Sequence, residues 1–174
     1  VVILQRGCQV LTPFDVDLVS QLVEYSREHG IDVRTEAEAT AIDETDDGSY
    51  VVRYDRADGQ HSIEADLVVH GAGRAPDLNG LNLSDANVKF GDNGIEVDEF
   101  MRSVSNPSVF AGGDCADSGR PMLTPTANEE GRIIVKNLFD DEPTAKPDYG
   151  IIPQVAFTVP AIAAVGMSQA DAEK

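Results

Sequence analysis

Twice in this chain an apolar run ends at closely spaced glycines and continues with a polar residue, at "ADLVVHGAGRAPD" (65–77) and again at "VFAGGDCAD" (109–117). Glycine alone offers both signs of φ and no side chain, so a strand that ends this way turns sharply or passes close to another group. In open α/β sheets ligands lie beyond the carboxyl ends of the strands, which puts Asp114, the first side chain after Gly112-Gly113, where a ligand hydroxyl can be read. The plainer reading of one such motif is a glycine turn with a solvated acid. The rest of the chain decides between them.

The opening "VVILQRG" (1–7) reads as a short buried strand. Asp15 then precedes "VDLVSQLVEYSREHG", where Leu18, Leu22 and Tyr25, with Val19, Val23 and Ser26, recur at helical spacing, and Gly30 is placed to end the helix. From Ile31 the period changes to two. "DVRTEAEATAIDET", "SYVVRYDR" and "HSIEADLVVHG", divided by the turn signals "DDG" and "ADGQ", predict an antiparallel meander beside a parallel sheet. After the second glycine turn comes "PMLTPTANEEGRIIVKNLF", a helix with two plausible starts. Thr124 with Pro125 fits an N-cap followed by proline at the first helical position, and Thr126 with Glu129 fits a capping box. Either start leaves helix N–H groups shortly after Asp114, a ready site for an anion or a carbonyl oxygen, although most capped helices bind nothing. The tail opens with a Pro and Asp linker, gives two strand-like runs, "QVAFT" and "AIAAVG", and begins a new helix at Ser168 and Asp171.

Composition excludes more than it assigns. Against 31 acids there are 13 bases, a net charge of −18, which repels nucleic acid and anionic membrane surfaces. The acids are spread along the chain instead of forming one tail, and they suit a surface adapted to concentrated salt, where self-repulsion is screened. That reading predicts melting temperatures that climb through a salt series, and a flat series would contradict it. No apolar run approaches the roughly 18 residues that span a membrane, and the first residues lack signal-peptide regions, so the chain reads as cytoplasmic. Cys8 and Cys115 stand far apart with no metal or redox spacing, and read as small space-fillers. His29, His61 and His70 read as structural residues on a helix end, a meander strand and a buried strand end.

These motifs, in this order, resemble the middle of a flavoprotein disulfide reductase of the glutathione reductase, dihydrolipoamide dehydrogenase and mercuric reductase family. "VVILQRGCQVLTPFD" resembles the second strand of its nicotinamide-cofactor domain and the following loop, and "GAGRAPD" the turn that closes that domain. "SNPSVFAGGDCAD" resembles its second flavin motif, "LTPTANEEGR" the helix start under the flavin ring, and "IPQVAFTVPAIAAVGMSQADA" the opening of the interface domain. The fold class implied is α/β: part of a Rossmann-like pair of FAD- and NAD(P)-binding domains with an antiparallel meander, plus the first strands of an α+β dimerisation domain. The corresponding divisions are 1–76, the C-terminal part of the NAD(P)-binding domain; 77–146, the C-terminal part of the FAD-binding domain; and 147–174, the start of the dimerisation domain.

The resemblance also implies site residues. Gly113 lets the backbone approach the ribityl chain and pyrophosphate of FAD, and Asp114 accepts a hydrogen bond from a ribityl hydroxyl. Thr124, with the N–H groups around Thr126 and Ala127, faces the pyrimidine edge of the isoalloxazine, where a positive helix end stabilises negative charge on the reduced ring. Gly73 matches a position near the nicotinamide cofactor, and Arg74 the junction of the two cofactors, unless it is a structural arginine paired with an acid. Gln5 stands where NAD-using relatives often carry glutamate, and Arg6 where NADP-using relatives carry an arginine that binds the 2′-phosphate. Thr12, where some of those relatives have a second arginine, runs the other way. NADP is favoured over NAD.

The same comparison marks what the chain lacks: the G-x-G-x-x-G fingerprints, the Cys-x4-Cys dithiol and the terminal His and Glu pair. No residue is therefore assigned a catalytic role, none binds metal, and the chain alone is expected to be inactive. In the intact enzyme, expected to be a homodimer, hydride passes from NAD(P)H to FAD and electrons onward to a disulfide or metal-ion substrate. Two alternatives stay open: a dithiol-less NAD(P)H oxidase or ferredoxin-type reductase, and a non-catalytic nucleotide-binding flavoprotein.

Overall fold

The computed structural model describes residues 1–140 and 142–174. They form two compact units, residues 1–71 with 155–174 and residues 72–154. Among the described residues the fold is mixed α/β with four small sheets.

In the first unit, strand β1 (Val2–Leu4) pairs in parallel with β2 (Asp32–Arg34), joined through helix α1 (Val16–Glu28). This is the expected strand, helix, strand order. Strand β1 is more exposed than its apolar sequence predicts, because its one strand partner is β2 and Val2 and Ile3 keep an open face. Helix α1 turns Val19, Leu22, Val23 and Ser26 inward, a stripe at i, i+3, i+4 and i+7, while Leu18 and Tyr25 lie outside it and are exposed. Gly30, at φ +82°, ends the helix as expected, with Gly30 N donating to Arg27 O and Ile31 N to Ser26 O. Val19 and Leu22 pack with Phe14 and Ile162, the last from the chain's tail.

The run expected to be one strand from Asp32 onward is two. Glu36, at φ +52°, bends the chain, and the N–H groups of Glu36 and Ala37 donate to Gly7 O and Gln5 O, which ends β2. The meander then follows as β3 (Glu38–Glu44), β4 (Tyr50–Arg56) and β5 (Gly59–Ala65), antiparallel throughout, with Val52 and Tyr54 of the central strand buried. Strand β5 stops at Ala65. The expected buried strand over 65–69 does not form, and Leu67 and Val69 are 74% and 81% exposed. His70, expected at a buried strand end, is exposed with them. Strands β9 (Gln154–Ala156) and β10 (Ile162–Ala164) pair where the tail predicts them, and Ser168 Oγ caps helix α3 (Gln169–Ala172) by accepting from Asp171 N.

The second unit is built on β6 (Phe90–Gly91), β7 (Gly94–Glu96), β8 (Ala116–Asp117) and helix α2 (Thr124–Asn137), with β8 parallel to β7. Val88, Ile95, Met101, Ala111, Ala116 and Ile133 form its core, and Cys115 packs against it as a space-filler. Cys8, by contrast, is exposed. The strand expected to run into Gly112-Gly113 is reduced to a single bridge between Phe110 and Arg102, made by Ala111 N donating to Met101 O and Ser103 N to Val109 O, while Val109 N is taken up in a turn by Asn106 O. A 3-10 turn over Gly113–Cys115 follows, and the strand comes after the glycines as β8.

Candidate functional site

The glycines that end the 109–117 run are held against helix α2. A Cβ on Gly112 would come within 2.8 Å of Ile134 Cδ1 and 3.3 Å of Glu130 Cβ, and one on Gly113 within 3.2 Å of Ala127 Cβ. Gly113 also sits at φ +68°. Both requirements of the motif, close approach and a left-handed turn, are met here by the helix. Asp114, the next residue, is exposed, and its carboxylate has no hydrogen-bond partner among the described residues.

Helix α2 begins differently from either start read in the sequence. Leu123, in extended conformation, occupies the N-cap position, Thr124 is the first helical residue and Pro125 the second. Neither threonine caps the helix. The physical reason is position: Thr124 and Thr126 already lie inside the first turn, where a side chain cannot reach the N–H groups that follow an N-cap. Ala127 N, expected to be free, donates to Leu123 O. The Thr124 and Thr126 N–H groups have no partner among the described residues.

The buried face of this helix carries Thr126, Glu130, Ile133 and Asn137, three polar residues in four. Buried polar groups need partners. Glu130 has two: Gly113 N donates to Oε2 at 2.6 Å and Tyr149 Oη donates to Oε1 at 2.8 Å. Asn137 has its own set, donating to Phe100 O and Ala145 O and accepting from Thr144 N and Ala145 N. Thr126 Oγ1 is buried and has none among the described residues. It borders an open cleft of about 300 Å³ that Glu129, Arg132, Tyr149 and Ile151 also line.

Charge around the cleft is fixed by local pairing. Arg132 donates two hydrogen bonds to Glu129, and with the Asp148 N–H they hold the Glu129 carboxyl at about 2, below its ordinary value. Burial, and then the neighbouring Glu130, push the Tyr149 phenol up from its ordinary value. The Arg120 guanidinium lies 4.5 Å from the centre of the Tyr149 ring.

The structure brings Gly113, Asp114, Thr124, Thr126 and Ala127 together at one end of helix α2. Gly73, at φ +106°, and Arg74 are both exposed at the start of the same unit, and Arg74 has no ion-pair partner among the described residues. Gln5 and Arg6 belong to the first unit. Gln5 Nε2 donates to Gln9 O at 2.9 Å, which makes it a clamp within its own loop, while the exposed Arg6 has no ion-pair partner among the described residues. The sequence reading missed Glu130 and Tyr149. Their signal is present: position 130 falls on the buried stripe with 126, 133 and 137, and an acid on such a stripe needs partners.

Among the described residues no helix is long and apolar enough to cross a membrane, and no three acidic, histidine or cysteine side chains form a metal-binding group. The dihydrolipoyl dehydrogenase of Staphylococcus aureus is 35% identical over 176 residues, covering 100% of this chain and 36% of that protein. The trypanothione reductase of Trypanosoma congolense is 32% identical over 170 residues, covering 97% of this chain and 33% of that one. Among solved structures, LpdA from Mycobacterium tuberculosis superposes with a TM-score of 0.82 at 26% identity, over 97% of this chain and 35% of that chain. The chain therefore spans about a third of the length of the relatives it matches. The sequence profile of the pyridine nucleotide-disulphide oxidoreductases matches residues 1–131, and the chain belongs to that family.

Proposed function

We propose that this chain is the middle part of a flavoprotein oxidoreductase that takes hydride from NAD(P)H and acts on a disulfide-type or metal-ion substrate. The observation that carries the reading is the end of helix α2, where a buried hydroxyl and an exposed carboxylate, both without a partner among the described residues, meet a first turn with no side-chain cap at one glycine turn. That donor and acceptor set fits a flavin. Asp114 accepts from ribityl hydroxyls, Gly113 keeps the turn free of a side chain, and Thr124 and Thr126 present N–H groups to the carbonyl edge of the ring. Bound FAD supplies the hydride acceptor. The residues of this chain orient it and offset charge at its carbonyl edge.

In this reading residues 1–76 belong to the nicotinamide-binding domain, 77–146 to the FAD-binding domain and 147–174 to the start of the dimerisation domain of a cytoplasmic homodimer. Gly73 lies toward the nicotinamide cofactor and Arg74 at the junction of the two cofactors. The 174 residues alone are expected to be inactive and to lose added FAD on dialysis. In the intact protein Asp114→Ala is expected to weaken FAD binding by about 1.5 to 3 kcal/mol, the worth of a charge-assisted hydrogen bond. Visible absorbance after dialysis and an FAD titration check both. Unchanged affinity in the variant would place Asp114 outside the site.

The free Arg6 favours NADPH as the donor. Its guanidinium has no acid to satisfy it among the described residues and stands at the end of β1, where a 2′-phosphate can take it up in bidentate fashion. Arg6→Ala is expected to raise the KM for NADPH and leave that for NADH little changed. Equal losses with both donors would remove Arg6 from the site.

A further inference from the structure

Glu130 is fully buried in the second unit, 0% exposed, and serves two segments far apart in sequence. Its Oε2 accepts from Gly113 N at 2.6 Å, and its Oε1 from Tyr149 Oη at 2.8 Å. The Gly113 N–H points at helix α2, and a part-buried backbone N–H there requires an acceptor. Among the described residues no backbone carbonyl supplies one. Tyr149 is held in turn, with its ring under Arg120 and its hydroxyl 3.5 Å from Met101 Sδ. An apolar residue at 130 would fill the space and leave two donors unmet.

We propose that Glu130 is a positioning residue of the flavin site. It fixes the Gly113–Cys115 turn from below so that Asp114 is presented outward, and Tyr149 occupies its second oxygen and locks its rotamer. The proposal rests on the reading of Asp114 as a flavin ligand. It requires no change at any group that touches the cofactor, and this separates Glu130 from the residues of the site itself.

The test uses the intact flavoprotein and two variants. Glu130→Gln keeps the volume but offers one acceptor oxygen to two donors. Tyr149→Phe keeps the ring and its contact with Arg120. The readouts are FAD affinity, measured well below the melting temperature, and hydrogen exchange of the peptide spanning Gly112–Cys115. Loss of a charge-assisted bond predicts about a tenfold rise in FAD Kd and a similar acceleration of exchange in Glu130→Gln, with a smaller change of the same sign in Tyr149→Phe. If Glu130→Gln does not fold, Tyr149→Phe carries the test. A lowered melting temperature with FAD affinity and exchange at the turn both unchanged, while Asp114→Ala still weakens FAD binding, would overturn the proposal and leave the flavin reading intact. Accelerated exchange with FAD binding indifferent to Glu130→Gln and Asp114→Ala alike would instead overturn the flavin reading, and the role of Glu130 in cofactor binding with it.

Discussion

The two glycine turns share one sequence pattern and have different structures. At Gly112-Gly113 the backbone lies against helix α2, a carboxylate receives the turn's N–H, and an added Cβ would press on Ile134, Glu130 or Ala127. At Gly71 and Gly73 an added Cβ would meet nothing within 4 Å, and the apolar residues before them face outward. An apolar run ending in glycines therefore encodes a turn that a partner can close upon. Whether it is closed depends on an element elsewhere in the chain, here α2, which the pattern itself does not contain.

Substitutions can widen or collapse that difference. The largest effect is expected at Gly94, which supports the closed turn from the other side: at φ +129° its Cβ would meet Cys115 O at 2.6 Å and Asp117 N at 3.0 Å, both backbone atoms that cannot swing away. Gly94→Ala should cost about 2–4 kcal/mol in denaturant melts, from strain plus overlap. Gly113→Ala should cost about 1–2 kcal/mol, since a left-handed residue gains a Cβ and Ala127 must yield by a few tenths of an ångström. Gly71→Ala, in open space and without a positive φ, should stay within about 0.5 kcal/mol of the parent. A costly Gly71→Ala, or a harmless Gly94→Ala, would erase the contrast.

A finer probe is the acid that ties helix α2 to the segment behind it. The pKa of Glu129 is lowered in the folded chain, so its contribution is fully present above the ordinary carboxyl value of about 4.3 and is lost as pH falls toward about 2. Carboxyl NMR titration should find it at about 2, and the stability difference between the parent and Glu129→Gln should disappear by that pH. An ordinary titration would mean that the Arg132 and Asp148 contacts do not persist in solution.

Much of the local structure was legible in the residues. Helix α1 and its Gly30 stop, the meander with its turns at Gly48 and Gly59, and the Ser168 cap follow from periodicity and turn chemistry acting within a few residues. What was not legible depends on pairing at long range. Past Ala65, "DLVV" has a strand's composition and no strand partner among the described residues, and the strand-type bonds of "VFAGG" run to residues 101–103 alone. The start of α2 was misread because two threonines and a proline satisfy two capping rules at once, and Leu123, which satisfies neither, takes the position. Of the candidate site, the glycine turn and Asp114 stand out in the sequence, while Glu130 reads as one more acid in a chain with 31.

The segment from Thr144 to Gly150 carries the proline and acid of a linker, yet its backbone and Tyr149 are bonded to Asn137, Glu129 and Glu130 of one helix. Composition would advise cutting the chain there. A truncation ending at Lys146 removes the Tyr149 hydroxyl from Glu130 and the Asp148 amide from Glu129, stripping a buried acid of one of its two donors. The compact unit that holds these bonds runs on to Gln154, so the segment is part of the fold.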